Sequence, residues 1–286
     1  MRINRRDFMK HSAGAIAAAY GVGAAAPKAF AGTPKACSTQ MLGNTGITTT
    51  FLGMGTGVRA SNNQSALTRR GDNHYMAVLE HAYDQGLRYF DMADMYGAHS
   101  YVRDAMKSFM DRDKVLLQTK TFSRDGDQVA ADLERYHQEL DTDVIDLALF
   151  HCLMDEDWPN QMGHAMDVME DAKAKGRIRA HGVSCHDFGA LQAAVESDWV
   201  DTILVRINPY GNRMDAPTDE VLPVLERACE NGKGLIGMKI LGEGDLADRK
   251  EECFEFAANL DCIHAITIGF LDTQEIDEAV TLLGEA

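Results

Sequence analysis

Residues 115–151 run VLLQTKTFSRDGDQVAADLERYHQELDTDVIDLALFH, and this stretch decides the fold. Val115-Leu-Leu-Gln-Thr119 is a short apolar run, the length of a buried strand. Val129, Leu133, Tyr136 and Leu140 then recur at the three- and four-residue spacing of an amphipathic helix. Val144–Phe150 is a second buried strand. Strand, helix and strand in succession make a βαβ unit with parallel strands.

The same alternation continues in both directions. Further strands are predicted at Phe51–Gly55, Leu87–Asp91, Ile178–Val183, Thr202–Ile207, Gly234–Met238 and His264–Ile268. Helices are predicted at Tyr75–Gln85, Tyr101–Met110, Met162–Lys175, Phe188–Glu196, Glu220–Asn231, Leu246–Ala258 and Glu275–Leu283. Met41–Leu52 reads as a hairpin turning at Asn44-Thr45-Gly46. Eight repeats within residues 32–286 predict an α/β protein, a (β/α)8 TIM barrel with an N-terminal β-hairpin. An open doubly wound sheet is the rival. Gly53-x-Gly55-x-Gly57 invites it, but a long polar loop, Val58 to Asn73, follows where the dinucleotide fingerprint needs a helix.

The first residues read as an address. Arg5 and Arg6 precede Phe8 and Lys10, a weakly apolar run spans Ser12–Ala26, and Ala29-Phe30-Ala31 is a small-residue cleavage signature. The paired arginines resemble the twin-arginine export motif of bacteria. That resemblance implies a signal peptide at 1–31, a partnership with the twin-arginine export machinery, folding before export, and a periplasmic or otherwise exported mature protein.

Composition narrows the function. The 286 residues carry a net charge of −16, which disfavours nucleic acid as a partner. No run reaches the roughly 18 unbroken apolar residues of a membrane span. Cysteines at 37, 152, 185, 229, 253 and 262 form no Cys-x-x-Cys pair, so no metal site is expected.

In a barrel of this type the chemistry sits where the strands end. Asp91, Lys120 and His151 fall at consecutive strand ends, and Tyr96 lies five residues past Asp91. Each alone has a plain structural use, as a cap, a surface charge, a satisfied histidine or a packing tyrosine. Together they suit proton delivery to an oxygen gaining negative charge. A nearby ammonium is expected to lower the phenol's pKa, and a carboxylate to hold that ammonium. Reducing a carbonyl in this way needs a hydride from a cofactor.

Several motifs carry a family resemblance. They are Leu42-Gly-Asn-Thr-Gly46, Phe90-Asp91-Met-Ala-Asp-Met-Tyr96-Gly97, Lys120, His151, Gly176-Arg-Ile-Arg-Ala-His-Gly-Val-Ser184 and Asn208-Pro209-Tyr210. With them the chain resembles the aldo-keto reductase family along residues 32–286. Met238-Lys239-Ile-Leu-Gly-Glu-Gly is similar to a bacterial branch that often carries a ferredoxin-like tail, which this sequence lacks.

The resemblance implies an NAD(P)-dependent oxidoreductase acting on an aldehyde or ketone, with Tyr96 as general acid–base and Asp91, Lys120 and His151 beside it. It implies cofactor contacts at Gly55, Thr56, Asp91, Ser184, Cys185, Leu204, Met238, Lys239, Leu241, Gly242, Gly269, Gln274 and Asp277. Cys185 and Leu204 stand where the family places Asn and Gln on the nicotinamide carboxamide. Acid in Asp272–Glu278 stands where many members bind a 2′-phosphate, so NAD and NADP both remain open. Cys152 and Cys185 are readable as a redox pair or as packing. A non-catalytic nucleotide- or ligand-binding module on a retained reductase barrel is the alternative function. A metal-dependent hydrolase would need a His-x-His in the first strand, and none occurs there.

Overall fold

A computed structural model describes residues 33–284; the signal-peptide expectation, 1–31, lies outside them. Strands β1 (Thr39–Met41) and β2 (Thr48–Thr50) pair antiparallel, with Gln40 opposite Thr49. The hairpin therefore begins two residues earlier than expected and ends before Phe51.

Eight parallel strands follow and close on themselves. They are β3 (Leu52–Gly55), β4 (Tyr89–Asp91), β5 (Leu116–Thr121), β6 (Ile145–Leu153), β7 (Ile178–Cys185), β8 (Thr202–Arg206), β9 (Gly234–Met238) and β10 (Ala265–Gly269). β10 pairs with β3, Ile266 opposite Leu52, to complete the ring. Helices α1 (Asp72–Asp84), α2 (His99–Ser108), α3 (Gly126–Leu140), α4 (Trp158–Gln161), α5 (Gly163–Ala174), α6 (Phe188–Glu196), α7 (Thr218–Glu230), α8 (Lys250–Ala258) and α9 (Thr273–Leu283) connect the strands. None of the described helices is long and apolar enough to cross a membrane.

Two apolar layers result. Tyr89, Leu116, Leu147, Leu149, Ala180, Leu204, Ile236, Met238 and Ala265 pack inside the ring. Met54, Phe90, Leu117, Ala148, Phe150, Val183 and Ile203 pack outside it, in the layer shared with the helices. Successive strand residues face opposite ways, so this phase also fixes where polar neighbours point. Gln118 and Lys120 share the inward phase of Leu116, and Asp91 shares that of Tyr89. His151 shares that of Leu149.

The hairpin stops the barrel at the end where the strands begin. Leu42 and Ile47 join the inner cluster, fully buried. Asn44 N–H donates to Gly232 O at 2.8 Å, just ahead of β9. Gly43 has φ +50, and a Cβ there would stand 2.4 Å from Gly232 O. Gly43→Ala is therefore expected to destabilise the fold by about 1–3 kcal/mol through backbone strain and overpacking. Urea denaturation measures it, and an unchanged midpoint would refute this account of the plug.

The long loop after β3 is also tied down. Ala66 N–H donates to Val58 O at 2.7 Å, and Arg70 reaches Leu271 O at 2.6 Å.

Candidate active site

Asp91 closes β4, and the chain then makes a single 3-10 turn, Asp94–Tyr96. Arg135 on α3 grips Asp94 with two bonds, 2.7 and 2.9 Å, which fixes that turn from behind. Gly97 leaves it with φ +66, and a Cβ at Gly97 would stand 2.1 Å from Asn63 O. Tyr96 is thereby turned back across the strand ends. Its ring lies over Gly57, where a Cβ would come within 2.4 Å of it.

Lys120 is almost wholly buried within β5. Its ammonium donates to Asp91 Oδ1 and, at 2.6 Å, to Met92 O. Asp91 also accepts from Gln118 Nε2 at 2.7 Å and from Thr267 Oγ1 at 3.2 Å. Lys120 Nζ lies 4.8 Å from the centre of the Tyr96 ring. The Tyr96 hydroxyl is 3.3 Å from His151 Nε2. All four side chains border one cavity of about 790 Å3, within the usual range for a small-molecule site.

The electrostatics correct one expectation. Burial, then the negative charge of Asp91, pushes the Tyr96 phenol above its ordinary value rather than below it. Lys120 does not offset this, because its charge is already shared with Asp91 and Met92 O. Burial lowers the Lys120 pKa, with Asp91 opposing. The site therefore holds a protonated phenol. His151 is held down to about 2 by burial and by Lys120, so its ring is neutral. Its buried Nδ1 has no hydrogen-bond partner among the described residues. Leaving a lone pair unpaired costs less than leaving an N–H unpaired, which assigns the proton to Nε2. His151 then donates toward the Tyr96 oxygen, and the phenolic proton is free to face the cavity. Such a group can protonate an oxygen placed between the two.

The cofactor expectations divide. Gly55, Asp91, Leu204, Met238, Lys239, Leu241 and Gly269 border the cavity. The others do not. Thr56 is buried and spends its hydroxyl on Asp91 O, at 2.9 Å. Ser184 has the inward phase, but its oxygen accepts from Cys152 N–H at 2.8 Å. Cys185 has the opposite phase, and its side chain packs in the outer layer. Gly242 bends against Asn212. Gln274 and Asp277 are exposed on α9, and Asp277 bonds His81 of α1 at 2.6 Å. Cys152 borders the cavity while Cys185 does not, and both are free thiols.

Phe122 and His186, which sequence reasoning did not name, also border the cavity, as do Glu275 and Glu278 of the acidic Asp272–Glu278 stretch. On α9 Glu275 precedes the buried Ile276, whereas Glu278 is as exposed as Gln274 and Asp277, so helix phase alone does not single it out. Among the described residues, no group of three or more His, Cys, Asp or Glu could hold a metal.

The aldo/keto reductase family model matches residues 52–278. D-threo-aldose 1-dehydrogenase of a Pseudomonas species is 27% identical over 227 residues, 67% of this chain and 67% of that one. An uncharacterized oxidoreductase of Bacillus subtilis is 25% identical over 169 residues, and the match spans only 52% of its length. Among solved structures, an aldo-keto reductase of Bacillus halodurans in its holo form superposes with TM-score 0.72 and 16% identity, covering 88% of this chain and 92% of that one. A Pseudomonas aeruginosa protein assigned to the same group gives TM-score 0.73 and 20% identity, over 87% and 96%. These two likenesses speak to the fold. The match over 52–278 speaks to descent: the chain belongs to the aldo/keto reductase family and is an oxidoreductase.

Proposed function

We propose that the protein reduces an aldehyde or ketone with a nicotinamide cofactor, or runs the reverse, and that Tyr96 is its general acid–base. One observation carries this reading. A half-buried, protonated phenol stands 3.3 Å from a neutral imidazole and against a buried ammonium, at the edge of one cavity.

The residues present fit a dinucleotide. Gly55 and Gly269 line the cavity with backbone alone, and Val58 packs so closely on Gly269 that a Cβ there would stand 2.1 Å from its Cγ2. Lys239 and Lys250 border the cavity and are the cations a pyrophosphate would draw from their present partners, Glu243 and Glu278. When bound, the nicotinamide supplies the hydride. The protein does the rest. His151 Nε2–H orients the carbonyl oxygen. Tyr96 gives that oxygen its proton as negative charge develops there. Lys120, held by Asp91, steadies the phenolate left behind until solvent reprotonates it. Mixing the purified protein with NADH or NADPH and a panel of short aldehydes tests this. Carbonyl-dependent loss of absorbance at 340 nm supports the reading, and its absence with both cofactors rejects it.

Glu275 and Glu278 favour NAD over NADP. Glu278 already holds Lys250, and no arginine of α9 is available for a 2′-phosphate. Titration calorimetry is expected to give NADH a Kd at least ~10-fold below that of NADPH. Glu275→Gln with Glu278→Gln narrows that gap; a wild-type preference for NADPH would contradict it.

Leu204 and the engaged Ser184 loosen the grip expected on a carboxamide. They favour a second reading, a ligand-binding barrel without turnover, which the same assay decides. The likeness to an aldose dehydrogenase makes hydroxylated carbonyls the first compounds to try. Export of the folded protein through the twin-arginine route, with cofactor aboard, is proposed from residues 1–31. Nucleotide released by denaturing protein isolated from the periplasm would support it; cytoplasmic retention would not.

A further inference from the structure

Beside the proton-transfer group lies a second polar chain that the proposed chemistry leaves unused. His186 follows β7 and borders the cavity, its ring edge-on to His151 with centroids 6.5 Å apart. Behind it, Arg206 at the end of β8 donates from NH2 to His186 Nδ1. Arg206 in turn meets Asp215 at 3.2 Å, and the Asp215 carboxylate is buried. A guanidinium has only donors and keeps its charge, so the ring nitrogen facing it must be the acceptor. The proton of a neutral His186 then sits on Nε2. Burial and Arg206 hold the His186 pKa down to about 3, which keeps the ring neutral. No hydrogen-bond partner for Nε2 occurs among the described residues.

We propose that His186 is a substrate-recognising donor, whose Nε2–H binds an oxygen on the carbon next to the carbonyl that is reduced. This rests on the reductase reading of the same cavity and adds a substrate class, the 2-hydroxy or 2-oxo carbonyl compounds. The spacing suits it. Two oxygens on neighbouring carbons stand ~3 Å apart, and each can take a bond of ~3 Å from one of two rings at this separation. Phe122 supports the same orientation. Its ring lies 4.3 Å from that of His151, so that side of the imidazole meets an apolar surface. Arg206 and Asp215 are positioning residues: they set the tautomer of His186 and do not touch the substrate.

Two readouts on the full chain test this. The first is the kcat/KM ratio for 2-hydroxypropanal over propanal. Wild type is expected to favour the hydroxylated aldehyde by at least ~10-fold, and His186→Phe to bring the ratio near one. An unchanged ratio in His186→Phe overturns the proposal. The second is the ring spectrum of 15N-histidine-labelled protein. His186 is expected as the Nε2–H tautomer in wild type and as a mixture in Arg206→Met. An Nδ1–H tautomer in wild type overturns the proposal. If neither aldehyde turns over, the reductase reading fails by itself. A shift of His186 Nε2 on adding 1,2-ethanediol would then still uphold the donor role, and no shift would end it.

Discussion

Tyr96→Phe is expected to lower kcat for carbonyl reduction by about 10²–10⁴-fold, the usual worth of a positioned proton donor. The substitution removes one oxygen and little else. The ring keeps its seat over Gly57 and its contact with Lys120, since both are made by ring atoms. His151 loses its 3.3 Å partner, a change of about 1 kcal/mol in stability at most. Cofactor affinity, read by fluorescence titration, is expected to stay within about threefold, because the hydroxyl is assigned to the substrate. A variant that binds NADH normally and reduces the carbonyl at the wild-type rate would remove Tyr96 from the mechanism. Loss of binding together with turnover would make it a cofactor contact instead.

Lys120→Met is expected to cost about 3–5 kcal/mol of stability as well as most of the activity. Breaking one side of a buried ion pair leaves the other charge without compensation. Here that charge is the Asp91 carboxylate, which keeps only the bonds from Gln118 and Thr267. The alkyl chain of Met fills most of the space, so the loss reports charge rather than a cavity. Asp91→Asn combined with Lys120→Met should therefore recover a large part of the stability and none of the activity. Denaturation of the single and double variants gives the coupling directly. Additive losses would show that Asp91 and Lys120 are not energetically one unit.

Much of this was legible in the sequence, for reasons that differ by residue. The barrel was legible because Val129, Leu133, Tyr136 and Leu140 repeat at a helical period between two short apolar runs, and because that alternation recurs. Asp91, Lys120 and His151 were legible because strand ends converge in a barrel whatever the loops do. Boundaries drifted. β5 and β6 continue past the predicted strand ends, so that Lys120 and His151 are strand residues with neighbours on both sides. Helix α4 went unread, since four residues around Pro159 leave no room for a period.

The cofactor residues were the least legible. Seven of the thirteen border the cavity, and the other six are turned elsewhere. Cys185 and Ser184 are adjacent in the chain and face opposite ways, and on α9 Gln274 and Glu278 are both exposed though only Glu278 borders the cavity. The direction of the Tyr96 shift was also missed. Sequence places an ammonium near a phenol, but it does not say how deeply both are buried or that Asp91 has already taken the charge.

The central claim is that this cavity passes a hydride to a carbonyl carbon and a proton to its oxygen. The most direct measurement uses NADH carrying deuterium at both C4 positions, a short hydroxylated aldehyde, and mass spectrometry of the product. The account predicts an alcohol with one deuterium at the carbinol carbon, formed by wild type and nearly absent with Tyr96→Phe. No alcohol, or alcohol without that deuterium, from either labelled NADH or labelled NADPH would contradict it.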